Sequence, residues 1–278
     1  LSISGNNIVV DNIKDTKPVA RFHSSYLGEK DYGFRKYGNQ VYIIMYYTSA
    51  YNYKSELLVC YDASNLEPNF ISPIGTRSSY SNRKNAGMSI LGDDVFIISS
   101  SDGHITLQLY KTKITGNGQF NVFNFKGLRA SMNEYGRIVK LSNDRIAILM
   151  IGAREDNSTA SDYCTVVFYE YSGGIWVEVA SYEFKTNTDI STNTYAASID
   201  ERTVVVLSDG YRLGYKRDLY LIRLNTDYSL YFTQSVDYPL PDDTSSSIGS
   251  LFKTTDNSLL FVYSKSGNPP INQKVYMQ

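Results

Sequence analysis

Histidine, cysteine and tryptophan are nearly missing from this chain, with two His, two Cys and one Trp among 278 residues. That scarcity leaves little material for imidazole acid–base work, thiolate catalysis or a zinc centre. His23 and His104 stand apart from any companion donors at ligand spacing, so no metal is expected. Two cysteines cannot frame a domain of this size with disulfides. Cys60, in Leu57-Leu58-Val59-Cys60-Tyr61, and Cys164, in Cys164-Thr165-Val166-Val167-Phe168, are expected as buried free thiols. No run approaches the roughly 18 apolar residues that a membrane span needs, so no membrane insertion is expected. An excess of one charge is lacking too: 27 Lys and Arg balance 28 Asp and Glu, for a net charge of -1. Nothing in that balance draws the chain to nucleic acid or to an anionic membrane. No phosphate-binding or dinucleotide fingerprint and no Ser-His-Asp arrangement occurs, and no cofactor is expected. The chain begins with Leu1 and carries no basic-then-apolar leader, which reads as a mature or excised piece.

What the chain does have is tyrosine, 25 residues of it, and 42% hydrophobic residues, enough for a large core. It also has a repeat. Five apolar, β-branched runs begin at Val41, Val95, Ile146, Val204 and Leu259. They recur at a period of roughly 50 residues, the range of four-stranded propeller blades. A short strand rich in small residues precedes each run: Tyr32-Gly33-Phe34-Arg35, Ala86 to Ile90, Tyr135 to Val139, Tyr195 to Ile199, and Ile248 to Phe252. Small side chains suit an innermost strand, where blades converge on an axis. Between each pair lies a tight polar turn, such as Gly38-Asn39-Gln40 or Gly92-Asp93-Asp94. Third strands follow, as at Leu107-Gln108-Leu109-Tyr110, and the first four units add a fourth, as at Trp176-Val177-Glu178-Val179. The fifth unit stops at its third strand, Lys274-Val275-Tyr276-Met277, and Asn7-Ile8-Val9-Val10 is expected to complete it. Such pairing removes an open sheet edge.

The expected fold is therefore all-β, a five-bladed propeller of four-stranded antiparallel blades closed by the N-terminal strand. Its blades cover about 32–79, 80–130, 131–187, 188–245, and 246–278 with 1–13, so that residues 1–278 form a single domain. Helix is expected to be nearly absent, since no segment keeps a 3.6-residue period.

Loops on one face carry the functional expectation. Connectors between first and second strands are short. Those between second and third strands are long at Thr48 to Lys54, Gly152 to Asp162 and Asp209 to Arg217, and the blade-to-blade connector Pro73 to Asn85 is long as well. Long loops on a rigid scaffold commonly hold binding groups. These carry Tyr51, Tyr53, Arg83, Arg154, Tyr211, Arg212 and Tyr215, expected to bind a ligand. Phenol rings stack on sugar faces, and guanidinium groups bond to hydroxyls, carboxylates or phosphates. Asp31, Asn85, Glu134, Asn193 or Thr194, and Ser247 precede the innermost strands and are expected at the mouth of an axial channel.

Enzymatic chemistry is thinner. Five-bladed glycosidases present three axial acids, one from each of the first three blades. This chain has Asp31 and Glu134 but Lys84 and Asn85 in the second blade. A carboxylic acid with a carboxylate partner is the minimum for glycoside hydrolysis, so Asp31 and Glu134 define the catalytic alternative. Ser101-Asp102-Gly103-His104-Ile105-Thr106 and Ser208-Asp209-Gly210 are too compressed for the Ser-x-Asp-x-Gly-x-Thr box of sialidases and read as turns. Asp242 and Asp243 after Pro241 read as a solvated turn.

Five diverged units, Tyr-, Ser- and Asn-rich loops and no usable catalytic histidine resemble the propeller platform of receptor-binding proteins on the tails of phages that infect Gram-positive bacteria. They also resemble five-bladed lectins, whose repeats are more alike. The resemblance is one of architecture and transfers no residue role. The phage likeness implies a piece of a longer, homotrimeric fibre protein, joined through segments outside this chain, that contacts a cell-wall glycan or glycopolymer at an extracellular or virion surface. A propeller that docks other protein domains is the remaining alternative.

Overall fold

The computed structural model describes residues 2–4, 7–9, 34–48, 54–77, 87–91, 94–100, 107–113, 121–122, 136–156, 159–186, 193–209, 217–238, 249–253 and 259–263. All regular structure among them is β, and no helix occurs among the described residues. Strands β1 (Ser2–Ser4) and β2 (Asn7–Val9) form an antiparallel hairpin. Sheet 1 comprises β3 (Phe34–Tyr37), β4 (Gln40–Thr48), β5 (Lys54–Asp62) and β6 (Pro68–Arg77). Sheet 2 comprises β7 (Gly87–Leu91), β8 (Asp94–Ser100), β9 (Leu107–Lys113) and β10 (Asn121–Val122). Sheet 3 follows with β11 (Gly136–Lys140), β12 (Arg145–Ala153), β13 (Thr159–Ser172) and β14 (Ile175–Lys185). Sheet 4 holds β15 (Asn193–Asp200), β16 (Thr203–Asp209), β17 (Arg217–Leu224) and β18 (Leu230–Tyr238). Sheet 5 is the pair β19 (Gly249–Lys253) and β20 (Leu259–Tyr263). Strand neighbours in every sheet are sequence neighbours, and all pairings are antiparallel.

The five apolar runs are the second strands of these sheets, and the reason they are uninterrupted lies in the packing. Successive strand residues point to opposite faces, and in the second strands of sheets 1 to 4 residues of both faces are buried. Sheet 1 sets Tyr42, Leu58 and Cys60 against Met88, Ile90, Val95 and Ile97 of sheet 2. Sheet 2 turns Leu91 and Phe96 the other way, to Ile138, Ile146, Ile148, Met150, Val167, Tyr169 and Trp176 of sheet 3. Sheet 3 presents Ala147, Leu149, Val166 and Phe168 to Val204, Val206, Tyr220 and Ile222 of sheet 4. Sheet 4 presents Ala197, Val205 and Leu207 to Leu251 of sheet 5. The first strands are neighbours across the sheets: β3 lies beside β7, β7 beside β11, β11 beside β15, and β15 beside β19. Sheets stacked in chain order with their first strands together make the architecture propeller-like.

Several sequence expectations change in detail. The long connector expected from Gly152 to Asp162 is mostly strand, because β12 runs to Ala153 and pairs it with Thr159. Gly152, with a positive φ of 71°, sits where the register shifts, facing the extra residues of β13 between Thr159 and Cys164. The connector expected to start at Pro73 begins later, since β6 continues to Arg77. Asn7–Val9 pairs with Ser2–Ser4, while Lys274 to Met277, its expected neighbour, lies outside the described residues. Cys60 and Cys164 are buried and free, and burial pushes the Cys60 thiol above its ordinary value.

One end of the sheets is knitted by a recurring bond. In sheets 1, 3 and 4 an amide at the end of the third strand donates to a carbonyl of the first turn: Ala63 to Asn39 at 2.8 Å, Tyr171 to Asp144 at 2.7 Å, and Leu224 to Arg202 at 2.9 Å. Aspartates fix the turns between third and fourth strands at the same end. Ser64 donates to Asp62 Oδ1 through its amide at 2.7 Å, and Ser229 likewise to Asp227 at 3.0 Å. Hydrogen bonds from the serine hydroxyl and then the amide lower both carboxyls below the ordinary range. The Gly173-Gly174 turn, with φ of 58° and 87°, joins β13 to β14 as a two-residue hairpin of this handedness demands.

A buried cation also ties sheet 3 to sheet 4. Arg145 Nη2 lies 3.1 Å from Glu170 Oε2, and Nη1 donates to the Glu201 carbonyl at 3.1 Å. Removing one partner of such a pair strands the other charge. Arg145→Ala is therefore expected to lower unfolding stability in urea by about 3 kcal/mol, whereas Arg145→Met with Glu170→Met recovers most of that loss. Equal stability of Arg145→Ala and the parent protein would contradict this role.

Candidate functional site

The end of the sheets opposite the knitted turns carries the connectors between second and third strands. Sheet 3 shows how this end is built. After the register shift at Gly152, the chain leaves β12 and residues 154–156 fold over the last residues of β14. Arg154 directs Nε to Glu183 Oε1 at 3.4 Å and Nη1 to Asp156 Oδ2 at 3.5 Å. Its guanidinium also stacks over the Tyr163 ring, 4.5 Å from the centroid. Glu183 Oε2 accepts the Glu155 amide at 2.6 Å, and Ser181 Oγ donates to Glu155 Oε1 at 2.5 Å. Lys185 completes the group, 3.1 Å from Asp162 Oδ2 and 5.9 Å from the Tyr163 centroid. The Asp162 carbonyl in turn accepts the Thr186 amide at 2.7 Å and its hydroxyl at 3.1 Å.

The period of the strand explains this gathering. Ser181, Glu183 and Lys185 alternate along β14 and so share a face. Across the strand pair, Lys185 stands opposite Tyr163, Glu183 opposite Thr165, and Ser181 opposite Val167. Val167 belongs to the core between sheets 2 and 3, so the whole polar row lies on the sheet-2 side. Tyr182 and Phe184, on the other side, join the core with sheet 4. Four carboxylates and two cations surround one phenol. The arrangement can accept hydrogen bonds from hydroxyls or ammonium groups and offers an aromatic surface. Both oxygens of Glu183 are already bonded to Arg154 and to a backbone amide.

Of the residues expected to bind a ligand, Arg154 lies in this cluster. Asn193 starts β15, and the register sets it opposite Asp209, which stands opposite Arg217, itself opposite Tyr238. These positions share the same end of sheet 4. Tyr51, Tyr53, Arg83, Tyr211, Arg212, Tyr215, Asp31, Asn85, Glu134 and Ser247 lie outside the described residues. The sequence reading missed Tyr163, Ser181, Glu183 and Lys185, because it sought function in loops and these sit on strands. The period-two polar row Ser181-x-Glu183-x-Lys185 was the available signal.

Comparison with solved structures agrees with the propeller-like architecture. The chain is similar to the NanB sialidase of Streptococcus pneumoniae, in a structure with 2-[(3-chlorobenzyl)ammonio]ethanesulfonate, at a TM-score of 0.51 and 12% identity. That likeness covers 77% of this chain and 33% of the sialidase, so the chain spans about a third of that protein's length. It is also similar to a prolyl endopeptidase, at 0.45 and 9% over 88% and 36% of the two chains. A further similarity, at 0.39 and 10% over 86% and 57%, is to the WD40 domain of SCAP from fission yeast. The sialidase has a propeller-type fold, and an identity of 12% bears on fold alone. No protein-family model matches the chain, and no curated protein matches it either.

The cluster makes its own prediction. Glu183→Ala removes the acceptor of a backbone amide and of Arg154, which is expected to cost about 1–2 kcal/mol in urea unfolding. Amide exchange at Glu155 is expected to quicken in the same variant, and an unchanged exchange rate would contradict the bonding described.

Proposed function

We propose that this chain is a non-catalytic binding propeller that recognises a cell-surface glycan or glycopolymer. The observation that carries the reading is the Arg154–Tyr163–Glu183 group: an aromatic ring, carboxylates and a hydroxyl held by rigid strands at the long-connector end. Sites for saccharides need this combination, because hydroxyls ask for paired acceptors and donors while sugar C–H faces ask for an aromatic surface. The loop tyrosines and arginines, above all Tyr211 and Arg212, extend the surface in this reading.

The architecture we propose is one five-bladed ring over residues 1–278, closed by the N-terminal strand. Four successive sheet-to-sheet cores support it, and so does a fifth apolar face. Val41, Val59 and Tyr61 lie on the side of sheet 1 turned away from sheet 2, and all three are buried. In a ring that face meets the last blade. The setting we propose, an extracellular or virion surface, with a phage tail receptor-binding protein as the parent and trimerisation through segments outside the chain, rests on the resemblance of the repeats alone.

Exposing the protein to an array of bacterial cell-wall and surface saccharides, with product analysis on the same compounds, tests the function. Binding without bond cleavage is expected, weakened at least about tenfold by the pair Tyr211→Ala and Arg212→Ala. Release of new reducing ends, lost in Asp31→Asn or Glu134→Gln, would make the protein a glycoside hydrolase instead. Neither binding nor cleavage would leave a platform for other protein domains.

A further inference from the structure

The sheet-2 face of β14 carries more than the Arg154 cluster. A bulge in β14, with Val179 as its extra residue where the partner strand passes from Phe168 to Tyr169, resets the register, so that Tyr169 stands opposite Glu178 and Tyr171 opposite Trp176. Glu178 and Trp176 therefore continue the row of Ser181 and Glu183 on the same side. Trp176 is the only tryptophan in the chain. Its ring meets Phe96 edge-on at 5.4 Å on one side and Tyr171 at 5.4 Å, tilted by 50°, on the other. The indole is nine-tenths buried, yet its Nε1–H has no hydrogen-bond partner among the described residues. A buried donor without an acceptor costs about 1–3 kcal/mol. Tyr171, in contrast, is 43% exposed, and an exposed ring turns between rotamers in nanoseconds or less. Along the row Glu178 is exposed, and Ser181 and Glu183 are half-buried.

Resting on the saccharide reading above, we infer that a linear glycan lies along the sheet-2 face of β14, from Tyr171 and Trp176 at one end to Glu183 and Tyr163 at the other. At about 3.3 Å per residue the row from Trp176 to Glu183 is roughly 20–25 Å long, room for several pyranose rings. Aromatic rings stand at both ends, where sugar faces pack. Between them Glu178 and Ser181 accept hydroxyl protons, and the Trp176 indole gains the acceptor it lacks from a ring or hydroxyl oxygen once Tyr171 swings aside. A straight polyhydroxyl chain fits this row, since its polar groups recur along its length as the strand's do.

The single tryptophan gives a direct test. Cellotetraose and the β-1,4-linked tetramer of N-acetylglucosamine are titrated into the ¹⁵N-labelled full chain while the indole N–H resonance is followed. The two corresponding monosaccharides serve as controls. Saturable movement with at least one tetramer is expected, at an affinity well above that of its monosaccharide. Trp176→Phe, which keeps an aromatic ring and deletes the N–H, is expected to weaken binding by calorimetry about tenfold. If array saccharides bind while neither they nor the tetramers shift the indole resonance, the groove is wrong and the glycan function stands. An indole held by an ordered water gives that same silence. If monosaccharide and tetramer bind equally, the extended groove is likewise overturned, and if no saccharide binds anywhere, both readings fall. The resonance in the unmutated protein decides the matter even should Trp176→Phe fail to fold.

Discussion

The structure depends on one constraint: each central strand must bury both of its faces. Within Ile146-Ala147-Ile148-Leu149-Met150, the odd and even positions serve different cores, one shared with sheet 2 and the other with sheet 4. A sheet of this kind is not stable alone, because either face left bare exposes a continuous apolar surface to water. It is satisfied only between two others. Repeating the unit transfers the problem along the chain, and a fold made this way remains incomplete until its first and last faces are covered. The buried Val59 and Tyr61 on the far side of sheet 1 are the place where that demand becomes visible.

This constraint explains how much of the fold was legible in the sequence. The five apolar runs stood out because double-sided burial suppresses the usual alternation with polar residues. Their short predecessors stood out because convergence at the first strands favours Gly, Ala and Ser. Turns announced themselves through Gly38-Asn39, where positive φ selects the residue. Strand ends were less legible. Ala153 carries no strong strand signal, and its pairing with Thr159 follows a register shift whose position nothing but Gly152 hints at. The N-terminal pairing was harder still, since Asn7–Val9 can satisfy its edge locally with Ser2–Ser4.

The candidate site was legible only in part, for a related reason. Arg154 was found because it sits in a connector of suggestive composition. Its partners, Tyr163 and Glu183, come from strands nine and 29 residues further on, and the alternation that unites them reads like ordinary solvent-facing polarity. Trp176 is a similar case. By composition it is a single aromatic residue in an outer strand, and what singles it out is geometric: a buried donor without an acceptor among the described residues, between Phe96 of one sheet and Tyr171 of its own. Sheets 2 and 3 thus share an apolar core, and the outer strand of sheet 3 adds a polar, aromatic margin.

The distance between the first and last sheets tests the central claim most directly. Lys36 in β3 and Lys253 in β19 are both exposed, and the two native thiols are buried, so Lys36→Cys and Lys253→Cys accept spin labels selectively. Packed sheets lie about 10 Å apart, so five in an open stack would hold these strands roughly 40 Å from one another, whereas a ring makes them neighbours. A narrow distribution at a backbone separation of about 10–15 Å, once label length is allowed for, is the predicted result. A distribution centred near 40 Å would contradict the ring and the covered fifth face together.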